Sequence, residues 1–219
     1  MKSRGSKVYV FWVERQNQKY NQMKKIIITT ITLVFVLSGC NKHNAPQEFF
    51  DETFHWRIMI PANFRAVNPE RWERRREYGL QRMESTFNEK ITDDTRLIFN
   101  FSNGQTNYIE ALYHFVDPEI DGDFSESRKL LEEIMYTAFV AQMPTATVRT
   151  STTTERIDNL DFYVLEIRIT FPNNMIFNTL MYSRLFGSKV LGVNIMYQDA
   201  EIREKMLDAW RNSTFGKIE

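Results

Sequence analysis

Residues 161–197, DFYVLEIRITFPNNMIFNTLMYSRLFGSKVLGVNIMY, decide the fold of this chain. Apolar and polar side chains alternate from Tyr163 to Phe171, which is the period of a β-strand with one buried face. Two further apolar segments follow, separated by the turn residues PNN at 172–174 and GS at 187–188. The stretch therefore predicts a three-stranded antiparallel meander.

Four shorter segments predict the other strands. Residues 54–60 alternate apolar and polar side chains and end at Pro61, which cannot donate to a strand ladder. Residues 97–101 and 109–115 alternate in the same way on either side of an Asn-Gly turn. The Thr-rich residues 145–156 suit an exposed edge strand. With the meander, these segments predict an α+β fold around a central antiparallel sheet of about six strands.

Two or three helices are predicted to flank this sheet. Residues 69–85 are polar, with a few apolar side chains at loose helical spacing. The sequence DFSE at 123–126 is a capping box that opens a second helix. A last helix starts near Asp199. The second helix is predicted to place six apolar residues on one buried face: Leu130, Leu131, Ile134, Met135, Ala138 and Phe139.

The order of these elements resembles the PsbP-like fold, which is named for an extrinsic subunit of photosystem II. The resemblance rests on a first strand that ends at a proline, FHWRIMIP at 54–61, a central helix, a long meander and a C-terminal helix that ends near STF at 213–215. It covers residues 50–216, and the chain departs from it through a longer polar helical segment after the first strand. Members of that family are mostly non-catalytic helpers and binding modules. The resemblance therefore implies a binding role and transfers no active-site residue.

The segment before the domain has the pattern of a bacterial lipoprotein signal. Residues 23–25 are MKK, and residues 26–37 are uncharged, a run too short to span a membrane, which takes about 20 residues. The run ends in the lipobox residues Leu37, Ser38, Gly39 and Cys40. The first three are the residues that the signal peptidase would recognise, because small side chains let the peptide enter the enzyme. The thiol of the cysteine would carry the lipid as a thioether. The expected partner of this lipid is a membrane.

These signals divide the chain into four parts. Residues 1–22 are predicted to be an over-extended gene start, or else a cytoplasmic extension that is lost with the signal peptide. Residues 23–39 are the signal peptide, residues 40–52 are the lipidated cysteine with a polar tether, and residues 53–219 are a single α+β domain. The expected location is the bacterial cell envelope. Asn41 lacks the carboxylate that retains some lipoproteins in the inner membrane, which favours the outer membrane.

Charge and cysteine content exclude several functional classes. Residues 1–40 hold seven basic residues and one acidic residue, which leaves 21 basic and 27 acidic residues in the rest of the chain. Such a mildly acidic domain gives no reason to expect nucleic acid as a partner. Cys40 is the only cysteine, so neither an intrachain disulfide nor a Cys-based zinc site can form. No cofactor is expected.

Asp117, Glu119, Asp121 and Asp123 are a weak candidate set of metal ligands. Oxygen ligands at alternate positions, followed by a glycine, resemble the start of a calcium loop. The twelfth position, however, is Arg128 instead of a bidentate glutamate. The pattern favours the alternative, a solvated turn in which Asp123 caps the following helix, and no metal is predicted.

His114 and Glu110 are the candidate pair for acid–base chemistry, since they share one face of a predicted strand. No motif places a serine or cysteine nucleophile beside them, and the G-x-S-x-G elbow is absent from the sequence. The chain is therefore predicted not to be an enzyme. A hydrolase stays the third hypothesis, and a cluster of both side chains with a nucleophile in a cleft would favour it.

Two binding hypotheses remain. The leading one is a lipid-anchored envelope protein that serves as a non-catalytic binding or assembly module for an envelope protein partner. The alternative is a carrier or sensor of a small apolar ligand, because some of the many aromatic side chains could line a pocket. A deep apolar pocket would favour the second hypothesis.

Overall fold

The computed structural model describes residues 45–216 except residue 118 and residues 120–122. In chain order, its elements are β1 (Gln47–Asp51), β2 (Trp56–Ile60), β3 (Arg65–Ala66), α1 (Pro69–Phe87), β4 (Arg96–Asn103), β5 (Asn107–Phe115), α2 (Phe124–Gln142), β6 (Thr147–Ile157), β7 (Leu160–Thr170), β8 (Ile176–Phe186), β9 (Lys189–Tyr197), α3 (Ala200–Arg211) and β10 (Thr214–Phe215). A seven-stranded sheet has the order β3-β4-β5-β9-β8-β7-β6, and a three-stranded sheet has the order β1-β2-β10. All the strand pairs are antiparallel, which confirms the predicted α+β class.

The predicted meander lies within the large sheet. Strands β7, β8 and β9 pair in sequence, with Leu165 opposite Met181 and Met181 opposite Asn194. The hairpin between β8 and β9 turns at Gly187, whose φ of +57° lies in the left-handed region that glycine adopts without a Cβ penalty. The Thr-rich strand β6 is an edge of the sheet, as predicted.

One face of the large sheet is covered by the small sheet and α3. Trp56 of β2 and Trp210 of α3 are fully buried, with ring centroids 5.7 Å apart at 88°. Phe162 of β7 lies 5.0 Å from Trp210, and Phe215 of β10 stacks on Trp56 at 5.8 Å. Edge-to-face and offset-stacked pairs stabilise a core beyond their buried area. These rings join both sheets and the last helix in one aromatic core.

The opposite face of the large sheet is covered by α1 and α2. Leu165 and Ile167 of β7 pack in a cluster with Phe139 of α2. Phe162 and Val164, at the alternate positions of the same strand, belong to the aromatic core. The prediction of one buried face on β7 is therefore incomplete, because a covering layer lies on each side of the sheet.

Two segments differ from their predicted structure. The predicted tether of residues 40–52 is shorter, because Gln47–Asp51 form β1 and pair with β2. Within β1, the ring of Phe49 lies 4.9 Å from that of Phe99, a contact that is not evident from the sequence because Phe49 and its neighbour Phe50 show no apolar–polar alternation. Leu130, predicted on the buried face of α2, is 56 % exposed because it lies about 100° around the helix from Leu131, which faces the sheet.

Tyr182 connects the aromatic core to a charged pair at the end of α3. Its hydroxyl donates a hydrogen bond to Glu155 Oε2 at 2.8 Å, and Arg211 Nε donates to Glu155 Oε1 at 2.6 Å. Burial, followed by the hydrogen bond to Glu155, raises the pKa of Tyr182. The protonated Tyr182 hydroxyl therefore stabilises the folded state. Because its pKa is higher in the folded state than the usual value of about 10, this stabilisation is complete below about pH 10 and is lost as the pH rises further.

Tyr182→Phe is expected to lower the free energy of unfolding at neutral pH by about 1 kcal/mol, because a hydrogen bond to a carboxylate is lost. The decline of stability above about pH 10 should also become shallower. Urea unfolding at neutral and at alkaline pH measures both effects. Tyr78→Phe, at a tyrosine that is 61 % exposed, is the control. An alkaline decline that is the same in all three proteins would contradict this role of Tyr182.

Candidate functional site

A cleft of about 870 Å³ opens on the sheet face that α1 and α2 cover. We call it the α2 cleft, because the N-terminal half of α2 forms one of its walls and the segment before β4 forms the other. Its floor consists of side chains from β5, β7, β8 and β9. The principal floor residues are Leu112, Leu165, Met181, Val190, Gly192 and Asn194.

Gly192 is the position in this floor that has no side chain. It lies inside β9, opposite Leu112 of β5 and Ser183 of β8. A Cβ at position 192 would lie 3.0 Å from Leu112 Cδ1, which is closer than side chains normally approach. Glycine inside a strand often marks such a close approach. Here it leaves room for the Leu112 side chain beside the open part of the cleft.

Arg128 is the cation in the α2 wall. Its guanidinium carbon lies 4.8 Å from the ring centroid of Phe124 and 4.5 Å from that of Tyr163. These cation–π contacts hold the long side chain in place. Among the described residues, Arg128 Nε is buried without a hydrogen-bond partner. Burial raises the pKa of the Tyr163 hydroxyl, so that this ring is neutral where the guanidinium is charged.

The opposite wall, residues 92–95, is held by a charged pair. Arg76 of α1 donates from Nε to Asp93 Oδ2 at 2.6 Å and from Nη2 to the Asp93 carbonyl oxygen at 3.0 Å. Burial acts to raise the pKa of Asp93, but hydrogen bonds from Thr95 and Arg76 outweigh it, and the net shift is downward. Helix α1 thus positions the segment that faces α2 across the cleft.

Asp93→Asn is expected to lower the free energy of unfolding by about 1–2 kcal/mol at neutral pH, because hydrogen bonds to a charged acceptor become weaker ones. The folded-state pKa of Asp93 lies below its unfolded value of 3.8. The higher free energy of unfolding of the wild type is therefore present above pH 3.8 and is lost as the pH falls through the folded-state pKa. Urea unfolding from neutral pH into acid should show the two proteins converge. Asp94→Asn, at the exposed neighbour, is the control, and an equal loss at both positions would argue against the role of Asp93.

Glu110 and His114 are not brought together. Glu110 accepts hydrogen bonds from three side-chain donors: Trp72 Nε1 (2.7 Å), Asn100 Nδ2 (2.6 Å) and Asn194 Nδ2 (3.2 Å). His114 lines the α2 cleft and lies four residues along β5, about 13 Å away at the rise of an extended strand. Glu110 therefore joins α1 to the sheet, and the arrangement needed for acid–base chemistry by this pair is missing.

The candidate calcium residues include Asp121, which lies outside the described residues. Asp117 accepts the backbone N–H of Glu119 at 3.0 Å. Asp123 accepts the backbone N–H groups at the start of α2, the nearer at 2.7 Å, which confirms the predicted helix cap. Over the part of the chain that the structure describes, no three His, Cys, Asp or Glu side chains are grouped so that they could hold a metal ion.

The lipobox residues Leu37, Ser38, Gly39 and Cys40 also lie outside the described residues. Their lipidation therefore stays a prediction. Between residues 45 and 216, apart from the gaps named above, no helix combines the length and the apolar character needed to cross a membrane.

The α2 cleft has little signature in the sequence. Gly192 carries a signal, because it interrupts an otherwise regular strand pattern. Arg128 is visible only as the residue that breaks the calcium pattern, and nothing in the sequence places it against Tyr163. Sequence patterns describe one element at a time, whereas this site is formed by four strands, a helix and a loop.

No protein-family model and no curated protein matches this sequence. Solved structures match it in fold. The solution structure of cyanobacterial PsbP (CyanoP) from Synechocystis sp. PCC 6803 has 10 % sequence identity and a TM-score of 0.51, over 81 % of this chain and 96 % of that one. A crystal structure from Bacteroides thetaiotaomicron VPI-5482 has 7 % identity and a TM-score of 0.41, over 78 % of this chain and 48 % of that one.

LpqN, described as involved in cell envelope biogenesis of Mycobacterium tuberculosis, has 12 % identity and a TM-score of 0.35, over 58 % of this chain and 81 % of that one. Of these three structures, cyanobacterial PsbP is the one with a TM-score above 0.5, and at 10 % identity the similarity concerns the fold alone. The predicted PsbP-like fold is confirmed.

Proposed function

We propose that this chain is a lipid-anchored binding module of the bacterial cell envelope that holds a small amphipathic ligand in the α2 cleft and catalyses no reaction. The cleft carries the proposal. Its volume of about 870 Å³ falls within the range of about 300–1,000 Å³ that is typical of small-molecule sites. Of the two binding hypotheses, this observation favours the small ligand over a protein partner.

The lining of the cleft indicates which ligand it would hold. The floor side chains of Leu112 and Met181 suit an apolar body, since burial of apolar surface contributes about 25 cal/mol per Å². Arg128 is the half-buried cation of the wall, whereas the acidic side chains of Asp94 and Asp123 are exposed at the rim. A carboxylate or phosphate headgroup would therefore be oriented towards Arg128.

The lipid at Cys40 accounts for the proposed location. Each buried CH₂ group contributes about 0.8 kcal/mol, and one acyl chain alone binds a membrane only reversibly, so the two or three chains of a lipoprotein make a lasting anchor. Asn41 favours the outer membrane over the inner one. Membrane fractionation of the wild type and of Cys40→Ala tests the anchor. A variant that stays in the membrane fraction would contradict it.

Filling the α2 cleft is expected to abolish ligand binding while the protein stays folded. In the variant Ser183→Leu, the longer side chain occupies the floor position directly opposite Gly192. Native mass spectrometry of protein purified in mild detergent from its own envelope should show a bound small molecule in the wild type and none in the variant. The affinity for a fluorescent fatty acid, dansyl-undecanoic acid, should fall about tenfold or more, because the apolar floor is occupied.

The matched control is Thr170→Leu, at a half-buried strand position that does not line the cleft. It should keep both the bound molecule and the affinity for the probe. Thermal unfolding followed by circular dichroism shows whether each variant is folded. A wild-type protein that carries no small molecule and does not bind the probe would overturn the proposal.

The outer face of the small sheet supports a second candidate, an assembly module for an envelope protein. Phe50 and Met59 are 41 % and 49 % exposed there, and the Arg57 guanidinium lies 4.5 Å from the Phe50 ring centroid. Exposed apolar side chains beside an arginine are typical of protein interfaces. Crosslinking and affinity purification of the anchored protein tests this candidate. A protein that is recovered with the wild type and lost with Met59→Glu would support it, and recovery of the chain alone would contradict it.

A further inference from the structure

Strand β6 is a long and regular edge of the seven-stranded sheet. Its eleven residues, Thr147–Ile157, pair with β7 in an unbroken register. It contains neither a proline nor a β-bulge, which are features that commonly protect an edge from pairing with another chain. Within the described part of the chain, no other strand pairs with its outer edge, which leaves the hydrogen-bonding groups there for a further strand.

Two positive charges lie side by side near this edge. Arg149 of β6 lies directly opposite Arg168 of β7, and both side chains are exposed. Neither arginine makes an ion pair with any residue that the structure describes. Like charges at directly opposite positions destabilise a pair of strands. A carboxylate placed beside Arg149 from outside would relieve this repulsion.

We propose that β6 pairs antiparallel with β6 of a second copy of this chain, about a two-fold axis at Thr152. This register places Arg149 opposite Glu155 of the second copy, and the axis repeats the pair. Thr150 then lies opposite Thr154, and Ser151 lies opposite Thr153. Opposite charges and hydroxyl pairs at directly opposite positions are favourable across strands. In this register the charges and hydroxyls of residues 149–155 are thus complementary between the two copies.

Glu155 has the capacity to receive Arg149 of the second copy. It already accepts one hydrogen bond on each oxygen, from Arg211 Nε at 2.6 Å and from the Tyr182 hydroxyl at 2.8 Å. A carboxylate has about four acceptor positions, which leaves about two for another guanidinium. Both existing contacts also hold the carboxylate in place, so little conformational entropy is lost when the two copies pair.

An apolar stripe on α2 lies beside the same edge. Glu132 Oε1 accepts a hydrogen bond from the Thr150 hydroxyl at 3.0 Å, which places this side of α2 next to β6. Tyr136 and Val140 follow at intervals of four residues on the same side and are 45 % and 42 % exposed. Because this side of α2 contacts β6, pairing of β6 would bring it close to the same side of α2 in the second copy. Tyr136 and Val140 of the two copies would then face each other.

A cysteine at the axis tests the register in the full lipidated chain. Thr152 would lie opposite its own copy at a Cα separation of about 4.5–5.5 Å, which a disulfide can bridge. We expect Thr152→Cys to form a disulfide-linked dimer in the native envelope. Thr154→Cys is the control, because its two copies would lie about 13 Å apart. The unchanged protein shows whether Cys40 contributes any crosslink of its own.

Charge reversal separates the dimer from the stability of one copy. Arg149→Glu should weaken dimerisation in detergent by about tenfold or more, measured by analytical ultracentrifugation, because two attractive pairs become repulsive. The same change relieves the repulsion with Arg168, so the thermal stability of the single copy should be unchanged or higher. Equal crosslinking of Thr152→Cys and Thr154→Cys, or a wild type that sediments as a monomer at all concentrations, would overturn the proposal.

Discussion

Trp56→Ala is expected to cost about 3–5 kcal/mol of the free energy of unfolding, the range for truncating a buried large aromatic residue. Trp56 is fully buried and contacts Phe99, Trp210 and Phe215 at centroid distances of 5.4, 5.7 and 5.8 Å. Its loss would leave a cavity where the small sheet, the large sheet and α3 meet. Because domains of this kind have a total stability of about 5–15 kcal/mol, the variant should be only marginally folded. Urea unfolding measures the difference.

Trp56→Phe is expected to be much milder, at about 1 kcal/mol or less, for a reason specific to this site. Trp56 Nε1 is buried without a hydrogen-bond partner among the described residues, so the wild type already carries the cost of an unpaired donor. Phenylalanine keeps most of the ring contacts and removes that donor. Trp72→Phe is the contrast, because Trp72 Nε1 donates to Glu110 at 2.7 Å. Equal losses for Trp56→Phe and Trp56→Ala would show that the ring contacts are not the source of the stability.

The meander and the edge strand could be predicted from the sequence because each has its own local signal. Alternation with a period of two residues marks a strand without any knowledge of its neighbours. The turn at Gly187 needs a left-handed residue, and glycine supplies it. The Asp123 cap is similarly local, since a carboxylate at that position accepts backbone N–H groups two and three residues away.

The two outer strands of the small sheet could not be predicted, because they are recognised only through their partners, whereas β2 between them has its own alternation. β10 has two residues, too few to show a period, and it exists because Phe215 stacks on Trp56. β1 lies in a polar segment whose one inward aromatic side chain, Phe49, packs against Phe99. Both strands depend on contacts between residues that lie far apart in the chain.

The candidate site was less predictable than the fold. Glu110 could be placed on a strand face, but its three donors come from α1, β4 and β9. His114 and Arg128 line the same cleft from different elements, and their separation along the sequence hides this. Local patterns identified these residues as polar side chains on apolar elements. The tertiary structure shows that Glu110 attaches α1 to the sheet, whereas His114 and Arg128 line the cleft.

Glu110→Ala is expected to cost about 3–4 kcal/mol, because three side-chain donors lose a charged acceptor at once. Helix α1 should be affected most, since it has no fully buried side chain and Trp72 is its bond to this carboxylate. Hydrogen exchange of the α1 amides should therefore accelerate more than that of the meander strands. Urea unfolding measures the global loss of stability, and hydrogen exchange shows whether α1 has in addition become detached from the sheet.

Glu110→Gln is the informative companion, with an expected cost of about 1–2 kcal/mol. Trp72 and Asn100 both donate to Oε2, so an amide oxygen at that position can keep these two bonds. The amide NH₂ would then face Asn194 Nδ2, which donates to Oε1 in the wild type, and only that bond is lost. Glu70→Ala on the exposed side of α1 should cost about 0.5 kcal/mol or less, because its partner Arg74 is 3.9 Å away and both side chains are solvated. Equal costs for the Gln and Ala variants at position 110 would show that the negative charge holds α1, whereas a graded loss shows that the hydrogen bonds do.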